Sequence, residues 1–296
     1  MSAFYSPLRY PGGKNCIFPF MASLIQENGL EGCSYAEPFA GGAGLALHLL
    51  MKGIVSEIHL NDFDHSIYSI WHTILNNTDA FCEWISHVNV NMETWNWAKN
   101  VHSNIADFDL FEIAKATFFL NRTNVSGIIM GGPIGGPNQT GKFKIDARFN
   151  KTDLIKRIYA IAGYRRNIHI YEMDGEQFLK KMNRKRAQMF IYIDPPYVNK
   201  VADLYMNFFK KEDHVRLCSQ VNKLKKHWLV SYDSSDLIFD LYRKYNPISY
   251  TLSQCTSNRM GDEVIIFPPS ISISHSISLL KAPVSVIPKS NIASEK

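Results

Sequence analysis

Short β-rich runs alternate with amphipathic helical stretches at both ends of this 296-residue chain. Such alternation favours a parallel sheet with helices on both faces, because each pair of parallel strands needs a crossover helix between its members. The predicted strands are residues 34–39, 57–62, 168–174, 189–194, 228–232 and 263–267. The predicted helices include residues 45–52, 67–75, 175–182 and 212–224. The chain is therefore expected to be an α/β protein.

The alternation stops between the second and third predicted strands. Residues 65–165 are rich in Trp and Asn, and their Gly/Pro-rich tract over residues 127–146 is typical of a β-hairpin. We expect this segment to be a second, mainly helical lobe inserted between a first part, residues 1–64, and a second part, residues 166–268. The Ser- and Ile-rich residues 269–296 are expected to form a loosely held, flexible tail.

Composition narrows the class of protein. Hydrophobic residues make up 46% of the chain, enough for a packed core, and the net charge of +5 permits a nucleic-acid partner without requiring one. Five scattered cysteines without a Cys-x-x-Cys pair argue against a disulfide scaffold or a zinc ribbon and indicate a reducing compartment. The sequence shows no secretory signal and no apolar run long enough for a membrane helix. We therefore expect a cytoplasmic protein that does not bind membranes, with a monomer as the default state.

The sharpest chemical signal is an apolar strand that ends in Asp194-Pro195-Pro196-Tyr197. The carboxyl ends of strands in open α/β sheets line the ligand crevice, and the prolines fix the backbone there. The Asp194 carboxylate and the Pro195 carbonyl could each accept one N–H of an exocyclic amine, while Tyr197 stacks on the base. A rigid strand-end turn capped by an Asp is the alternative interpretation of the bare tetrapeptide.

A second signal is a strand that leads into the Gly-rich turn of residues 37–44 and then into a helix. Gly42 and Gly44 allow a ligand to approach the backbone, and the following helix N-terminus favours an anion. Asp62 ends the next strand 20 residues after Gly42, which is typical of a carboxylate that binds ribose hydroxyls. Leu47 replaces the third glycine of the dinucleotide fingerprint and argues against a nicotinamide or flavin. A tight strand–helix connection is the alternative.

Other chemistries find no support in the sequence. Two segments that resemble phosphate-binding loops lack required residues, because Asn15 and Phe143 stand where a Ser or Thr hydroxyl is needed. The chain contains no His-Glu-x-x-His or Gly-x-Ser-x-Gly motif, and its ten histidines are scattered. Neither a metal site nor a serine hydrolase is expected.

Three motifs occur in one order: residues 10–14 (Tyr-Pro-Gly-Gly-Lys), residues 37–44, and Asp-Pro-Pro-Tyr after the insert. This order resembles the Dam-type, alpha-arrangement DNA adenine-N6 methyltransferases over most of residues 5–267. The resemblance implies a Rossmann-like S-adenosylmethionine-dependent methyltransferase sheet with an inserted, mainly helical DNA-recognition domain that carries a β-hairpin. It also implies S-adenosylmethionine as the cofactor and N6 of a flipped-out adenine in double-stranded DNA as the substrate.

The same resemblance implies a role for each site residue. The implied cofactor-binding residues are Tyr10, Lys14, Phe39, Gly42, Gly44, Asp62, Asp174 and Asp194. The implied catalytic residues are Asp194, Pro195 and Tyr197, and the implied DNA-binding residues are Asn121, Arg122 and Arg148. Residues 121–127 resemble the segment that leads into the recognition hairpin, and residues 141–146 resemble the strand that follows it.

Several alternatives stay open at this point. An RNA adenine-N6 methyltransferase would use the same chemistry, and a catalytically silent DNA-binding protein would keep the same fold. A cytosine-N4 enzyme would more often carry Ser in place of Asp194. Basic residues of the insert favour a DNA-facing role, whereas those of residues 180–186 are equally consistent with a solvated helix face. A cognate restriction endonuclease is considered a partner in function only.

Overall fold

A computed structural model describes residues 5–10, 12–198, 209–253 and 260–285 of the chain. The strands are β1 (Ser34–Glu37), β2 (Glu57–Asn61), β3 (Ile168–Tyr171), β4 (Met189–Ile193), β5 (His227–Asp233), β6 (Ile248–Ser253), β7 (Met260–Ile266) and β8 (Val284–Ser285). They form one sheet in the order β3-β2-β1-β4-β5-β7-β6-β8. Strands β1 to β5 pair in parallel, and the last three join antiparallel.

The helices lie before, between and after these strands. They are α1 (Phe18–Glu27), α2 (Gly44–Met51), α3 (His65–Asn76), α4 (Thr78–His87), α5 (Met92–Ser103), α6 (Leu110–Thr123), α7 (Lys151–Ala162), α8 (Gly175–Arg184), α9 (Lys211–Val221) and α10 (Asp236–Tyr242). Six of them begin at a residue whose side chain accepts a backbone N–H of the first turn and so satisfies a group that the helix leaves unbonded. These residues are Asp64, Asn91, Asp109, Asn150, Asp174 and Ser235. No helix within the described ranges is long and apolar enough to cross a membrane.

The prediction of an α/β protein with a mainly parallel sheet is confirmed, and each of the six predicted strands lies on an observed one. The prediction missed β6 and β8. In β6 the large side chains of Ile248 and Tyr250 alternate with polar residues and are buried, so the period of two was present in the sequence. The antiparallel pairing of β6 with β7 closes this side of the sheet.

Both faces of the sheet are covered, as the crossover connections require. Along β4, Phe190 and Tyr192 belong to one hydrophobic cluster, and Ile191 and Ile193 belong to the other. The second cluster also contains Phe178 of α8 and residues of α9. Because successive side chains of a strand point to opposite faces, this alternation explains why β4 is apolar at every position.

The helices α3 to α7 fill the connection between β2 and β3, so the predicted insert is mainly helical over its described length. Trp71 of α3 and Phe118 of α6 are fully buried in the same cluster as Tyr35 and Phe190 of the sheet. The helices therefore share one core with the sheet. The division at residues 65 and 165 into a separate recognition domain stays a prediction.

The prediction of a β-hairpin over residues 127–146 is wrong for this structure. This stretch contains turns, a single antiparallel bridge between Asn124 and Pro133, and a 3-10 helix at Ile145–Arg148 in place of the expected strand. Side-chain amides bind the backbone here. The amide nitrogen of Asn124 lies 2.9 Å from the carbonyls of Ile128 and Ile129. The Gln139 amide donates to two backbone carbonyls and accepts the Ile145 N–H. The Gly/Pro-rich chain is thus held by amides instead of a strand ladder.

Residues 272–276 contact the end of α1 and residues 284–285 pair with β6, unlike the flexible tail expected over residues 269–296. The Glu27 carboxylate accepts hydrogen bonds from the hydroxyls of Ser272 and Ser274, each at 2.7 Å, and from the backbone N–H groups of His275 and Ser276. Four donors on one carboxylate fix this segment against the helix. Residues 286–296 lie outside the described residues.

The shared core predicts how Phe118→Ala affects unfolding. Removing this fully buried ring should lower the free energy of unfolding by about 3–5 kcal/mol, because it leaves a cavity beside Phe81 and Phe149 in the cluster that the helices share with the sheet. Urea denaturation followed by both tryptophan fluorescence and circular dichroism should show one cooperative transition at a lower midpoint. The control is Phe143→Ala, since that ring is 62% exposed and its loss should matter little. Two separate transitions in the wild-type chain would contradict a common core.

Candidate active site

The strand order reverses between the neighbouring parallel strands β1 and β4. In open α/β sheets the crevice at the carboxyl ends of the strands, beside such a reversal, is the usual ligand site. Here β1 runs into the Gly-rich turn and β4 runs into Asp-Pro-Pro-Tyr. Two of the three sequence motifs therefore meet at this edge, and the third is brought to it by the N-terminal segment.

Asp194 is the centre of a hydrogen-bond network at this edge. Its Oδ2 accepts a hydrogen bond from the Lys14 ammonium at 2.7 Å. Its Oδ1 accepts one from the Ser231 hydroxyl at 2.7 Å and lies 3.2 Å from the Tyr197 hydroxyl. Pro195 follows in the same turn and is buried. The structure thus brings Lys14, Asp194 and Tyr197 together, as the sequence analysis expected.

Glu263 of β7 completes this network and was missed as a site residue. Its side chain accepts hydrogen bonds from the hydroxyls of Tyr197 and Tyr250, each at 2.8 Å. The Lys14 ammonium lies 3.6 Å from Oε1 of the same carboxylate. The one sequence signal was an acidic residue at the start of an apolar strand. The partners lie far away in the sequence, so only the fold reveals them.

Glu37, the last residue of β1, is another enclosed carboxyl group at this edge. The Tyr35 hydroxyl donates a hydrogen bond to it at 2.9 Å. Burial, together with the nearby charge of Asp194, raises the pKa of Glu37 to about 8. The hydrogen bond from Tyr35 acts in the opposite direction and lowers this pKa. Glu37 therefore retains its proton near neutral pH. The sequence analysis quoted this residue within a motif and assigned it no role.

Tyr10 explains why the turn after β1 needs glycine. A Cβ on Gly41 would lie 2.5 Å from a ring carbon of Tyr10, and one on Gly42 would lie 2.8 Å from the Tyr10 Cβ. Gly41 also has a φ of +46°, which side chains disfavour. At Gly44, the first residue of α2, a Cβ would meet only an ordinary contact at 3.7 Å. The glycines at 41 and 42 thus admit the aromatic ring of the N-terminal segment.

Asp62 lies beside a small cavity at the end of β2. Its carboxylate accepts the backbone N–H of Gly41 at 2.8 Å and that of Asp64 at 3.0 Å. Burial raises the pKa of Asp62 to about 7, although both N–H groups act in the opposite direction. The cavity is lined by Ala40, Leu60, Asn61, Asp62, Tyr68, Trp71, Ile170 and Tyr171. The Asp62 carboxylate, an acceptor suited to hydroxyl groups, thus lies beside aromatic and aliphatic side chains at the carboxyl edge of the sheet.

Asn61 fixes the positions of the neighbouring strand ends. Its amide nitrogen donates to the carbonyls of Pro38 and Met173, each at 2.9 Å, and its oxygen accepts the Met173 N–H at 3.1 Å. Asn61 is completely buried, so these bonds are strong links between the ends of β1, β2 and β3. They bring Asp62 and Asp174 to one edge. Sequence reasoning missed Asn61, the last residue of β2, because its neighbours in the sequence do not mark it.

The ring of Phe39, which follows β1, reaches the start of α8, where Asp174 lies. The Asp174 carboxylate caps this helix by accepting the N–H groups of Glu176 and Gln177. A Cβ on Gly175 would lie 2.7 Å from the Phe39 ring, so the ring packs on the helix terminus. The structure therefore places both predicted cofactor residues at the carboxyl edge, where each also has a clear role in local folding.

Asn121 does not face solvent, contrary to the DNA contact expected for it. Only 1% of the residue is exposed. Its Oδ1 accepts the Arg9 N–H at 2.9 Å, and its nitrogen donates to the carbonyls of Arg9 and Gly127 at 2.8 and 3.0 Å. All the bonding capacity of this amide is used inside the protein. Asn121 instead supports the backbone that carries Arg9.

Four arginines gather near this support: Arg9, Arg122, Arg148 and Arg157. Arg122 donates through Nε to the Arg148 carbonyl at 2.9 Å, which fixes the backbone of that residue. Burial, together with the charges of Arg9 and Arg157, lowers the pKa of Arg122 to about 9. Asp153 pairs with Arg157 at 2.8 Å. The guanidinium of Arg148 is exposed, so this cluster presents an excess of positive charge to a polyanion.

A group of potential metal ligands lies among the strands, which the sequence analysis did not anticipate. His59 and His169 are paired across β2 and β3, and each approaches the Glu57 carboxylate, at 3.2 and 2.9 Å. Their rings are stacked 4.6 Å apart at 17°. A ring nitrogen binds a metal in the plane of its ring. Because the two rings are stacked and nearly parallel, their planes do not meet within bonding distance of both nitrogens. The arrangement is that of a hydrogen-bonded triad.

The mainly parallel sheet, with its ligand edge at the reversal between β1 and β4, is consistent with an S-adenosylmethionine-dependent methyltransferase fold. A family model described as D12 class N6 adenine-specific DNA methyltransferase matches residues 10–253. The match spans far more than half of the chain. The chain belongs to this family of DNA methyltransferases.

Two curated proteins are similar over nearly their whole length. The type II methyltransferase M.CviBI of Paramecium bursaria Chlorella virus NC1A is 26% identical over 270 residues, which cover 87% of this chain and 95% of that protein. The type II methyltransferase M.MjaIII of Methanocaldococcus jannaschii is 24% identical over 278 residues, which cover 86% and 93%. Both alignments include the insert as well as the sheet.

The buried carboxyl group of Glu37 predicts a pH dependence of stability. Because the pKa of this acid is about 8 in the folded chain, its protonated form stabilises the fold fully below its unfolded pKa of 4.5. That stability is lost as the pH rises towards 8. Urea denaturation at pH 5 and pH 8 should therefore show a smaller loss of stability for Glu37→Gln than for the wild type. An equal loss in both proteins would contradict the assignment.

Proposed function

We propose that this chain is a site-specific DNA methyltransferase (adenine-specific) that transfers a methyl group from S-adenosylmethionine to N6 of a flipped-out adenine. The observation that carries this proposal is the Asp194 carboxylate at the end of β4, held by Lys14 and Ser231 beside the Gly-rich turn of β1. Family membership supports adenine N6 as the acceptor and DNA as the substrate. The intact contacts among Lys14, Asp194 and Tyr197 favour an active enzyme over a silent DNA-binding protein.

The residues at the carboxyl edge fit this cofactor. Each oxygen of Asp62 accepts one backbone N–H and keeps a lone pair for a ribose hydroxyl. When bound, S-adenosylmethionine supplies a methyl group on a positively charged sulfur. We assign Tyr10, Lys14, Phe39, Gly42, Gly44, Asp62, Asp174 and Asp194 to its site.

Asp194, Pro195 and Tyr197 would act on the adenine. The lone pair of the exocyclic amine is delocalised into the ring, so the amine is a poor nucleophile. The Asp194 carboxylate and the Pro195 carbonyl would each accept one N–H of this amine. Two such hydrogen bonds favour a pyramidal nitrogen whose lone pair points towards the methyl group. The charge of Asp194 stabilises the positive charge that develops on this nitrogen. Tyr197 would stack on the base and offset part of the few kcal/mol that flipping costs.

DNA binding is assigned to the arginine-rich face formed by the N-terminal segment and the insert. Arg148 would contact phosphates directly, and Arg122 would hold its backbone in place. Asn121 acts only as an internal support. The names of both relatives favour a role in restriction-modification. A cognate restriction endonuclease, as a partner in function only, stays a prediction. The monomeric state and the cytoplasmic location stay predictions.

Asp194→Asn tests the proposed chemistry. The amide has the same shape but lacks the negative charge and one acceptor, so the single-turnover rate should fall by about 100- to 1,000-fold. The transfer of a tritiated methyl group to double-stranded DNA measures this rate. Calorimetric titration should show that S-adenosylmethionine still binds, although more weakly.

The matched control is Asp240→Asn, since Asp240 is exposed on α10. This variant should methylate DNA at the wild-type rate. If Asp194→Asn also kept a rate within about three-fold of the wild type, Asp194 would not orient the amine.

Arg148→Ala tests the DNA-binding face. Loss of one phosphate contact should weaken binding about 5- to 10-fold at 0.1 M salt and reduce the salt dependence by about one charge. Fluorescence anisotropy with a labelled duplex measures both. The control is Arg186→Ala, an exposed arginine just before β4, at the edge opposite to the site. Equal effects of the two substitutions would argue against a DNA-binding role for the insert face.

A further inference from the structure

The Glu263 carboxylate occupies an unusual position for a charged group. The residue lies in strand β7 of the sheet, and only 2% of it is exposed. Burial of a carboxylate is unfavourable unless donors or a cation compensate for the lost water. Here Oε2 accepts the Tyr250 hydroxyl and Oε1 accepts the Tyr197 hydroxyl, each at 2.8 Å. The carboxylate is thus fixed next to the site by its strand and by two phenols.

The Lys14 ammonium lies between two carboxylates. Its nitrogen is 2.7 Å from Oδ2 of Asp194 and 3.6 Å from Oε1 of Glu263. It also bonds the Tyr197 hydroxyl, which reaches both acids. A shift of about 1 Å would exchange one ion pair for the other, and the flexible lysine side chain allows such a shift.

Both oxygens of Asp194 already accept hydrogen bonds, so this exchange would change how well Asp194 binds an amine. Oδ1 already accepts the Ser231 hydroxyl at 2.7 Å, and Oδ2 is engaged by the ammonium of Lys14. An ammonium at hydrogen-bond distance draws charge from the carboxylate and weakens it as an acceptor for an amine. Asp194 therefore accepts the adenine N–H more strongly once Lys14 has another partner.

We propose that Glu263 is a positioning residue that takes over the Lys14 ammonium when the target adenine arrives. The transfer leaves Oδ2 of Asp194 available to the adenine amine. Throughout, Glu263 holds the Tyr197 hydroxyl and thereby the orientation of the ring that stacks on the base. This inference rests on the proposed function of Asp194 and Tyr197.

Glu263→Gln tests the exchange, because glutamine keeps the size of the side chain and removes its charge. The single-turnover methylation rate should fall by about 10- to 100-fold, while the dissociation constant for S-adenosylmethionine changes by less than about three-fold. The matched control is Glu212→Gln. It makes the same chemical change at an exposed glutamate of α9, outside the network around Lys14. The rate of this control should stay within about three-fold of the wild type.

A binding measurement separates positioning from general loss of structure. Duplexes that carry adenine or purine at the target position differ only in the exocyclic amine, so the ratio of their dissociation constants reports how well Asp194 accepts the amine. The wild type and Glu212→Gln should prefer adenine, and Glu263→Gln should lose this preference. Thermal melting of each variant fixes an assay temperature at which all are folded.

If Glu263→Gln does not fold, Glu263→Asp takes its place, because it keeps the charge and moves it away from Lys14. This variant should show a reduced rate and a reduced preference for adenine. A folded Gln or Asp variant with the wild-type rate and preference would overturn the inference. A wild-type chain that methylates no adenine would instead overturn the proposed function, so the two failures are distinguishable.

Discussion

The contact of Lys14 with Asp194 holds the site together. It ties the N-terminal segment to the end of β4, and through Tyr197 and Glu263 it reaches β7 as well. The ion pair is mostly withdrawn from solvent, so it is screened less than a surface pair and depends on hydrogen bonds for compensation. Without it the segment would lose its main polar anchor at the carboxyl edge of the sheet.

The rest of the N-terminal segment uses this anchor in two directions. On one side Tyr10 packs on Gly41 and Gly42, the turn next to the proposed cofactor site. On the other side Arg9 is bonded to Asn121 and joins the arginine cluster of the insert. A single short segment thus connects the proposed sites for cofactor, base and DNA. Acidic groups gather at the sheet edge and basic groups at the insert, as amine recognition and phosphate binding respectively require.

Local signals in the sequence predicted much of this arrangement. The strand that ends at Asp194 and the glycine turn after β1 are encoded in neighbouring residues, so their position at one edge followed from parallel pairing alone. Glu263 and Asn61 could not be assigned in this way. Each acquires its role from partners at least 13 residues away, and in the sequence each looks like an ordinary polar residue of a short strand. The sequence pattern predicts a strand, but it does not predict which side chains of other elements the strand contacts.

The errors in the sequence analysis have a common physical cause. The glycines and prolines of residues 127–146 predicted a hairpin, but Asn124 and Gln139 bind the backbone there and replace the strand pairing. The low-complexity stretch after Pro269 predicted looseness, but the Glu27 carboxylate fixes it through four donors up to 249 residues away. In both cases one or two polar side chains determine the path of a segment whose composition indicates flexibility.

The most direct test of adenine methylation is modified-base sequencing of DNA from cells that express the chain and from cells that do not. We predict N6-methyladenine at one recurrent short sequence in the expressing cells alone. Adenine that stays unmodified in DNA while the chain is expressed and folded would contradict the account. N4-methylcytosine or a mark confined to RNA would contradict it equally.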